Sequence, residues 1–270
     1  MLASIRVPWA FLVRDFRIEA SYKAGFVLRV LGALLNVAIY YFISRVFGGV
    51  AAPYLQAYGG SYFAFVVIGV AFSDYLALGI SSIGNSVRDA QMTGTLELML
   101  LSPSRLSTVL LSSSLWSYLF ATVSVMTYFV MGAALGMRMG NANIPFALLS
   151  LAIAIVSFNA LGLFATSLVI LLKRGNPIGW AVRVSSVVLG GVFYPTNVLP
   201  GWLRQIGQAL PLTHALELLR RSLLRGEGMA ELGGELAALI ALTLVLLPLG
   251  LLACHLAIRV ARTDGSLSHY

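Results

Sequence analysis

The feature that most constrains this sequence is a series of continuous apolar runs at about 25–47, 61–86, 105–137, 144–172, 177–194 and 232–259. Runs of roughly 18 or more apolar residues suit helices that cross a bilayer. These runs do not alternate with period two, so they suit helices and not barrel strands. Only 10% of the 270 residues are charged and the mean hydropathy is +0.89, whereas a soluble domain carries about a quarter charged residues. The expected fold is all-α and polytopic. It has six transmembrane helices, an N-terminal interfacial helix over 1–24, and a re-entrant helical hairpin over 195–228 between spans five and six.

The formal net charge is +8. In a membrane chain this excess reads as the positive-inside bias of cytoplasmic loops, and no nucleic-acid partner is expected. Six spans place both termini on one side. Taken as cytoplasmic, that side gathers Arg6, Arg14, Arg17, Lys23, Arg88, Arg105, Lys173, Arg174, Arg259 and Arg262. The opposite short loops hold Arg45 and Arg138. The basic residues Arg204, Arg220, Arg221 and Arg225 alternate with Glu217 and Glu227 in the membrane-associated fifth connection, so they do not reverse the topology. Met1 to Phe11 is too short and lacks the small-residue site expected of a signal peptide. The lone Cys254 permits no intrachain disulfide, and neither an HExxH nor a paired-His motif suggests a metal site.

Several residues stand out against the apolar background. Trp9, Leu12 and Phe16 can share one face of an interfacial helix. Asp74 lies near the middle of the second span, where an ionised carboxylate needs a partner or water. A pair with Arg183 or Arg29 is the structural expectation, and a place on a translocation path the functional one. Tyr40, Tyr41, Phe193 and Tyr194 fall near one end of their spans, where they are either interfacial anchors or surfaces on which a substrate could stack. Gly132 to Gly136 is a GxxxG pattern, expected to permit close helix contact. In the fifth connection, Pro200 and Pro211 suit helix starts. There Leu212, Leu216, Leu219 and Leu223 form an apolar stripe opposite His214, Glu217 and Arg221.

The stretch from Arg88 to Arg105 is too polar to cross a bilayer and too apolar to be an idle linker. It reads as an amphipathic helix at the cytoplasmic surface, with Leu96, Met99 and Leu100 on one face and Arg88, Asp89 and Glu97 as its charges. Gly94, followed by Thr95, permits a sharp approach to it. No phosphate-binding loop of the form GxxxxGK[ST] occurs, so this chain is not expected to bind ATP by one. No catalytic constellation is found. Ser81 and His214 invite an intramembrane protease reading, but the topology puts Ser81 in the cytoplasmic half of its span and His214 beyond the opposite end of the fifth, out of hydrogen-bond reach.

Four segments in order carry a family resemblance. They are Arg14-Asp15-Phe16-Arg17; Val87-Arg88-Asp89 through Gly94-Thr95-Leu96-Glu97 to Ser102-Pro103; Gly190 to Pro195 with Leu199-Pro200-Gly201-Trp202-Leu203; and Leu210-Pro211-Leu212-Thr213-His214 with Glu217 and Arg220. The chain resembles, over nearly its whole length, the membrane subunit of ABC-2 type transporters of the daunorubicin and nodulation-factor exporter kind.

The resemblance implies a single ABC-2 type transmembrane domain over 1–270, in the plasma membrane of a bacterium or archaeon. It implies a second permease subunit, as a homodimer, among membrane lipids. It also implies two copies of a separate P-loop ATPase, which would carry the ATP and Mg that this chain does not. Residues 88–103 would be the coupling helix, contacting the ATPase through Arg88, Asp89, Gly94, Thr95, Leu96, Glu97, Met99 and Leu100. Tyr40, Tyr41, Asp74, Phe193 and Tyr194 would border the path, and Pro200, Pro211, His214, Glu217 and Arg220 would form the hairpin. The expected activity is export of an amphiphilic, drug-like or lipid substrate. Polysaccharide and lipo-oligosaccharide export is the alternative, although Ser21-Tyr22-Lys23-Ala24-Gly25-Phe26 matches the polysaccharide exporters' signature poorly. A membrane-embedded enzyme is the rival of another class.

Overall fold

The computed structural model describes residues 2–21, 23–92, 106–172 and 177–263. Among these the chain is helical, with no strand. The helices are α1 (Leu2–Ser21), α2 (Lys23–Ala51), α3 (Tyr62–Met92), α4 (Leu106–Ala134), α5 (Ile144–Leu172), α6 (Pro177–Leu189), α7 (Gly201–Gln208), α8 (Pro211–Arg225) and α9 (Met229–Thr263). A tight helical turn, Ala52–Tyr58, continues α2 before the chain reverses into α3. The expected coupling stretch falls largely outside the described residues.

Among the described residues, five segments can cross a membrane by length and apolar composition: Ala24–Tyr58, Tyr62–Ser86, Leu115–Ala134, Ile144–Ile170 and Met229–Ala257. The sequence led us to expect six. The difference lies in the expected fifth span, 177–194, whose helix α6 has 13 residues. That is about 20 Å of helix against a hydrocarbon core of about 30 Å. The helix stops where Gly191 takes a φ of +75°, a conformation that glycine adopts without a Cβ penalty. Residues 190–194 then form turns.

Helix α3 is the centre of the bundle, touching α2, α4, α5, α6 and α8. Burial covers 78% of its apolar window, against 11% for that of α2 and 22% for that of α9. Phe65, Val66, Ile68, Ala71, Leu76 and Ile83 are fully enclosed on α3. Lipid-like surroundings give helices no hydrophobic reason to associate, so contact depends on shape and on small residues. Two glycines meet that need. A Cβ on Gly162 of α5 would fall inside contact distance of the Gly79 carbonyl of α3, and one on Gly79 would stand 2.6 Å from the Phe158 Cβ. Helix α9 approaches α5 the same way, with Gly250 over the Ala160 carbonyl. The Ser157 and Thr243 hydroxyls add a 2.8 Å hydrogen bond between the same two helices.

The GxxxG pattern does not serve as expected. Helix α4 ends at Ala134, and Gly136 lies beyond it at φ +94°. Gly132 faces the side chain of Met137 in its own chain reversal, and Val67 of the neighbouring α3. The second glycine closes a helix here and does not join two.

Helix α1 lies along α4 and touches the start of α2. Phe16 sets its ring edge-on to Trp116 at 5.6 Å, while Trp9 stays exposed. On the α2–α4 seam, Phe26 meets Phe120 at 5.7 Å. The Arg29 guanidinium stacks over the same Phe120 ring at 4.3 Å.

Gly162→Ala should force α3 and α5 apart. Overpacking of this kind costs about 1–3 kcal/mol, so the thermal midpoint of the detergent-purified protein should fall by several degrees. Gly233→Ala, where a Cβ meets nothing within 4 Å, should leave it unchanged.

Candidate functional site

Asp74 of α3 is half-buried. Its Oδ2 accepts a 3.1 Å hydrogen bond from the Tyr128 hydroxyl of α4. Asn36 of α2 approaches that same hydroxyl. The expected ion pair is not formed among the described residues. Arg183 and Arg29 attract the carboxylate only from a distance. A neutral phenol therefore supplies the direct contact, and two arginines supply a diffuse positive field.

Tyr40 lies close enough to Asp74 to feel its charge, and its ring tilts against Phe193 at 6.0 Å. Of the five expected path residues, the fold thus gathers Tyr40, Asp74 and Phe193 along α2, α3 and the turn after α6. Tyr41 faces elsewhere, edge-on to Phe63 at 5.5 Å. Tyr194 turns back and donates its hydroxyl to the Val188 carbonyl at 2.6 Å, which caps the broken end of α6. The cluster adds Tyr128 and Asn36, which the sequence did not single out for this site. A hydroxyl or amide in an apolar run is a weak signal when the run contains several.

The cluster is open on one side. Asn36, Arg29 and Arg183 are exposed, and so is a stripe of α2 that includes Leu28, Leu35, Ile39 and Phe42. Polar and charged side chains at this depth need water or protein beside them.

A second constellation fixes the α7–α8 hairpin to the bundle. Pro200 precedes α7 in extended conformation, and Pro211 opens α8, where its missing N–H costs nothing. The stripe Leu212, Leu216, Leu219 and Leu223 is buried, and so is Arg220 beside it. Arg220 donates from Nε to the Phe65 carbonyl at 3.1 Å, from Nη1 to Gly191 at 2.8 Å and from Nη2 to Val192 at 2.8 Å. Its guanidinium also lies 3.4 Å from the Phe65 ring centroid. Burial draws its pKa down to about 9, so it keeps its charge at neutral pH. Gly69 makes room for it, since a Cβ there would collide with Nη2 and with the Val192 carbonyl.

Around this anchor, Glu217 accepts a 2.6 Å hydrogen bond from Tyr58 and pairs with Arg221 at 3.6 Å. His214 contacts Glu235 of α9 through Nδ1 at 2.6 Å and the Gln208 carbonyl through Nε2 at 2.8 Å. The Ser81 hydroxyl donates to the Ala77 carbonyl at 2.6 Å. Ser81 and His214 therefore engage separate partners. Among the described residues, no group of three or more His, Cys, Asp or Glu side chains could hold a metal ion.

Arg88 and Asp89 lie in the last turns of α3. Gly94, Thr95, Leu96, Glu97, Met99 and Leu100 lie outside the described residues.

Arg220→Ala should leave the buried Gly191 and Val192 carbonyls without a donor and remove a second donor from Phe65, each orphaned carbonyl costing about 1–3 kcal/mol. The purified protein should lose its cooperative thermal transition or fail to accumulate. Arg220→Lys, which keeps the charge but not the planar fork, should fall between that variant and wild type.

The geometry is that of a helical membrane protein with a polar cluster at mid-depth and a hairpin bound to one end. No curated protein gives a significant match to the chain. Residues 52–252 match the family described as ABC-2 family transporter protein, a range that takes in the Tyr58 turn, Asp74 with Tyr128, and the whole hairpin. The chain belongs to the ABC-2 transporter family and is a multi-pass membrane permease of that kind.

Proposed function

We propose that this permease is one half of a homodimeric ATP-driven exporter. It moves an amphiphilic, drug-like or lipid substrate out of the cytoplasm or inner leaflet. The observation that carries the reading is the open side of the Asp74 cluster. Arg183 and Asn36 are exposed on α6 and α2 at membrane depth, and bare lipid is a costly neighbour for either. A second copy against α2 and α6 would enclose them and leave a partly polar path between the subunits. Tyr40 and Phe193 offer aromatic surface to an amphiphile there.

In this reading, α6 and residues 190–194 together make the fifth of six crossings. Both termini are cytoplasmic, and the α7–α8 hairpin re-enters from the outer side, held by Arg220. Energy comes from two copies of a separate P-loop ATPase carrying ATP and Mg. Residues 88–103 seat in it as a coupling helix, through Leu96, Met99 and Leu100 and the charges of Arg88, Asp89 and Glu97. ATP-driven closure of the ATPase pair then moves α3, whose last turns lead into that helix.

Two measurements test this. Glu97→Arg and Gly94→Pro should each abolish co-purification with the ATPase or uncouple its hydrolysis from transport in inverted membrane vesicles. Intact assembly and transport in both variants would sink the coupling assignment. Asp74→Asn should lower export of an amphiphilic dye by roughly tenfold, equivalent to about 1.4 kcal/mol, with assembly unchanged. Undiminished export would remove Asp74 from the path.

A further inference from the structure

Helices α4 and α5 are consecutive and both lie against α3, yet they scarcely touch each other. Between them is a groove of about 740 Å³, within the size range of small-molecule sites. Phe72 and Tyr75 of α3 form its floor, and Leu219 and Leu223 of α8 help close one end. Its outer walls, including Met126 of α4 and Leu148 of α5, are exposed. The groove therefore opens sideways between two helices that can cross a membrane. Few polar atoms reach it. The Tyr75 and Thr122 hydroxyls are already joined at 3.0 Å.

A separate polar hollow adjoins the loop at one end of the groove. The loop from α4 to α5 runs along that end, and Met139 and Ala142 of that loop face the groove. Arg138 and Asn141 of the same loop line a neighbouring hollow of about 460 Å³, together with Arg225 at the end of α8. No acidic side chain lines that hollow, although Glu227 stands 3.8 Å from Arg225. The loop is fixed in place by a 2.9 Å hydrogen bond from the Asn143 amide to the Ser222 carbonyl. Arginine donors arranged in this way favour a phosphate.

We infer that the α4–α5 groove binds a membrane phospholipid of net negative charge. Its acyl chain lies in the apolar groove, and its phosphate folds over the loop toward Arg138 and Arg225. The lipid fills the gap that the protein leaves between α4 and α5. The groove shares no lining residue with the Asp74 cluster, so it is distinct from the proposed translocation path.

The test is native mass spectrometry of the purified permease with phosphatidylglycerol and phosphatidylcholine supplied in equal amounts. Wild type should retain phosphatidylglycerol several-fold over phosphatidylcholine. Arg138→Glu should erase that preference, and Arg138→Lys should keep it. Met126→Trp, from an exposed wall, should fill the groove and reduce retention of both lipids. Leu148→Trp, from the opposite wall, should do the same and serves if the first variant is unstable. Equal retention of the two lipids by wild type would overturn the inference, as would a preference that survives Arg138→Glu. Retention undiminished in both tryptophan variants would also overturn it. Displacement of bound phosphatidylglycerol by equimolar uncharged Nile red would assign the groove to a drug-like solute instead.

Discussion

The buried guanidinium of Arg220 is the contact on which the hairpin end of the molecule depends. Helix α6 ends early, and the turn that follows leaves the Gly191 and Val192 carbonyls without helical partners. At the same level, Arg220 also takes the Phe65 carbonyl in the first turns of α3. Water could satisfy such groups at a surface, but here they are enclosed, and an unpaired carbonyl in a low-dielectric interior is costly. One planar, five-donor side chain meets all three and pins α8 to α3 and to the end of α6. Glu217 with Tyr58, and His214 with Glu235, extend the same attachment to the Tyr58 turn and to α9.

The rest of the bundle is held by shape. Helix α3 can sit at the centre because Gly79 and Gly162 let two backbones meet, and Gly250 does the same between α5 and α9. Where no such pair exists, between α4 and α5, the helices stand apart. The contrast follows from the solvent. In hydrocarbon, apolar side chains gain little by preferring protein to lipid, so close backbone approach and interhelical hydrogen bonds decide which helices touch.

The helical, membrane-spanning class was legible in the apolar runs, because a bilayer admits few other solutions. The burial of Arg220 was also within reach of the sequence, since it sits one turn from Leu216 and three residues from Leu223, both on the apolar stripe. Two other features were not. The partner of Asp74 was sought among cations, whereas a neutral tyrosine on another helix supplies the contact, and spacing within one helix says nothing about its neighbour. The glycines that join α3 to α5 sit on different helices and fall in no GxxxG pattern, so spacing does not pair them. The pair read as a match, Gly132 and Gly136, is used partly to turn the chain. The short α6 was hidden by composition, because residues 190–194 are as apolar as the helix before them and only the backbone of Gly191 separates the two.

Helix α3 spans 31 residues without a break, roughly 46 Å of rise. One end is clamped by the Arg220 contact at Phe65, the middle carries Asp74, and the other end leads to residue 92. Such a rod does not flex in parts. In the proposed exporter, a push at its far end would tilt it about the glycine contact at Gly79, about midway along. Movement at one end would then be returned at the other in the opposite sense. The clamp that makes the hairpin stable also makes it the place where that movement would arrive.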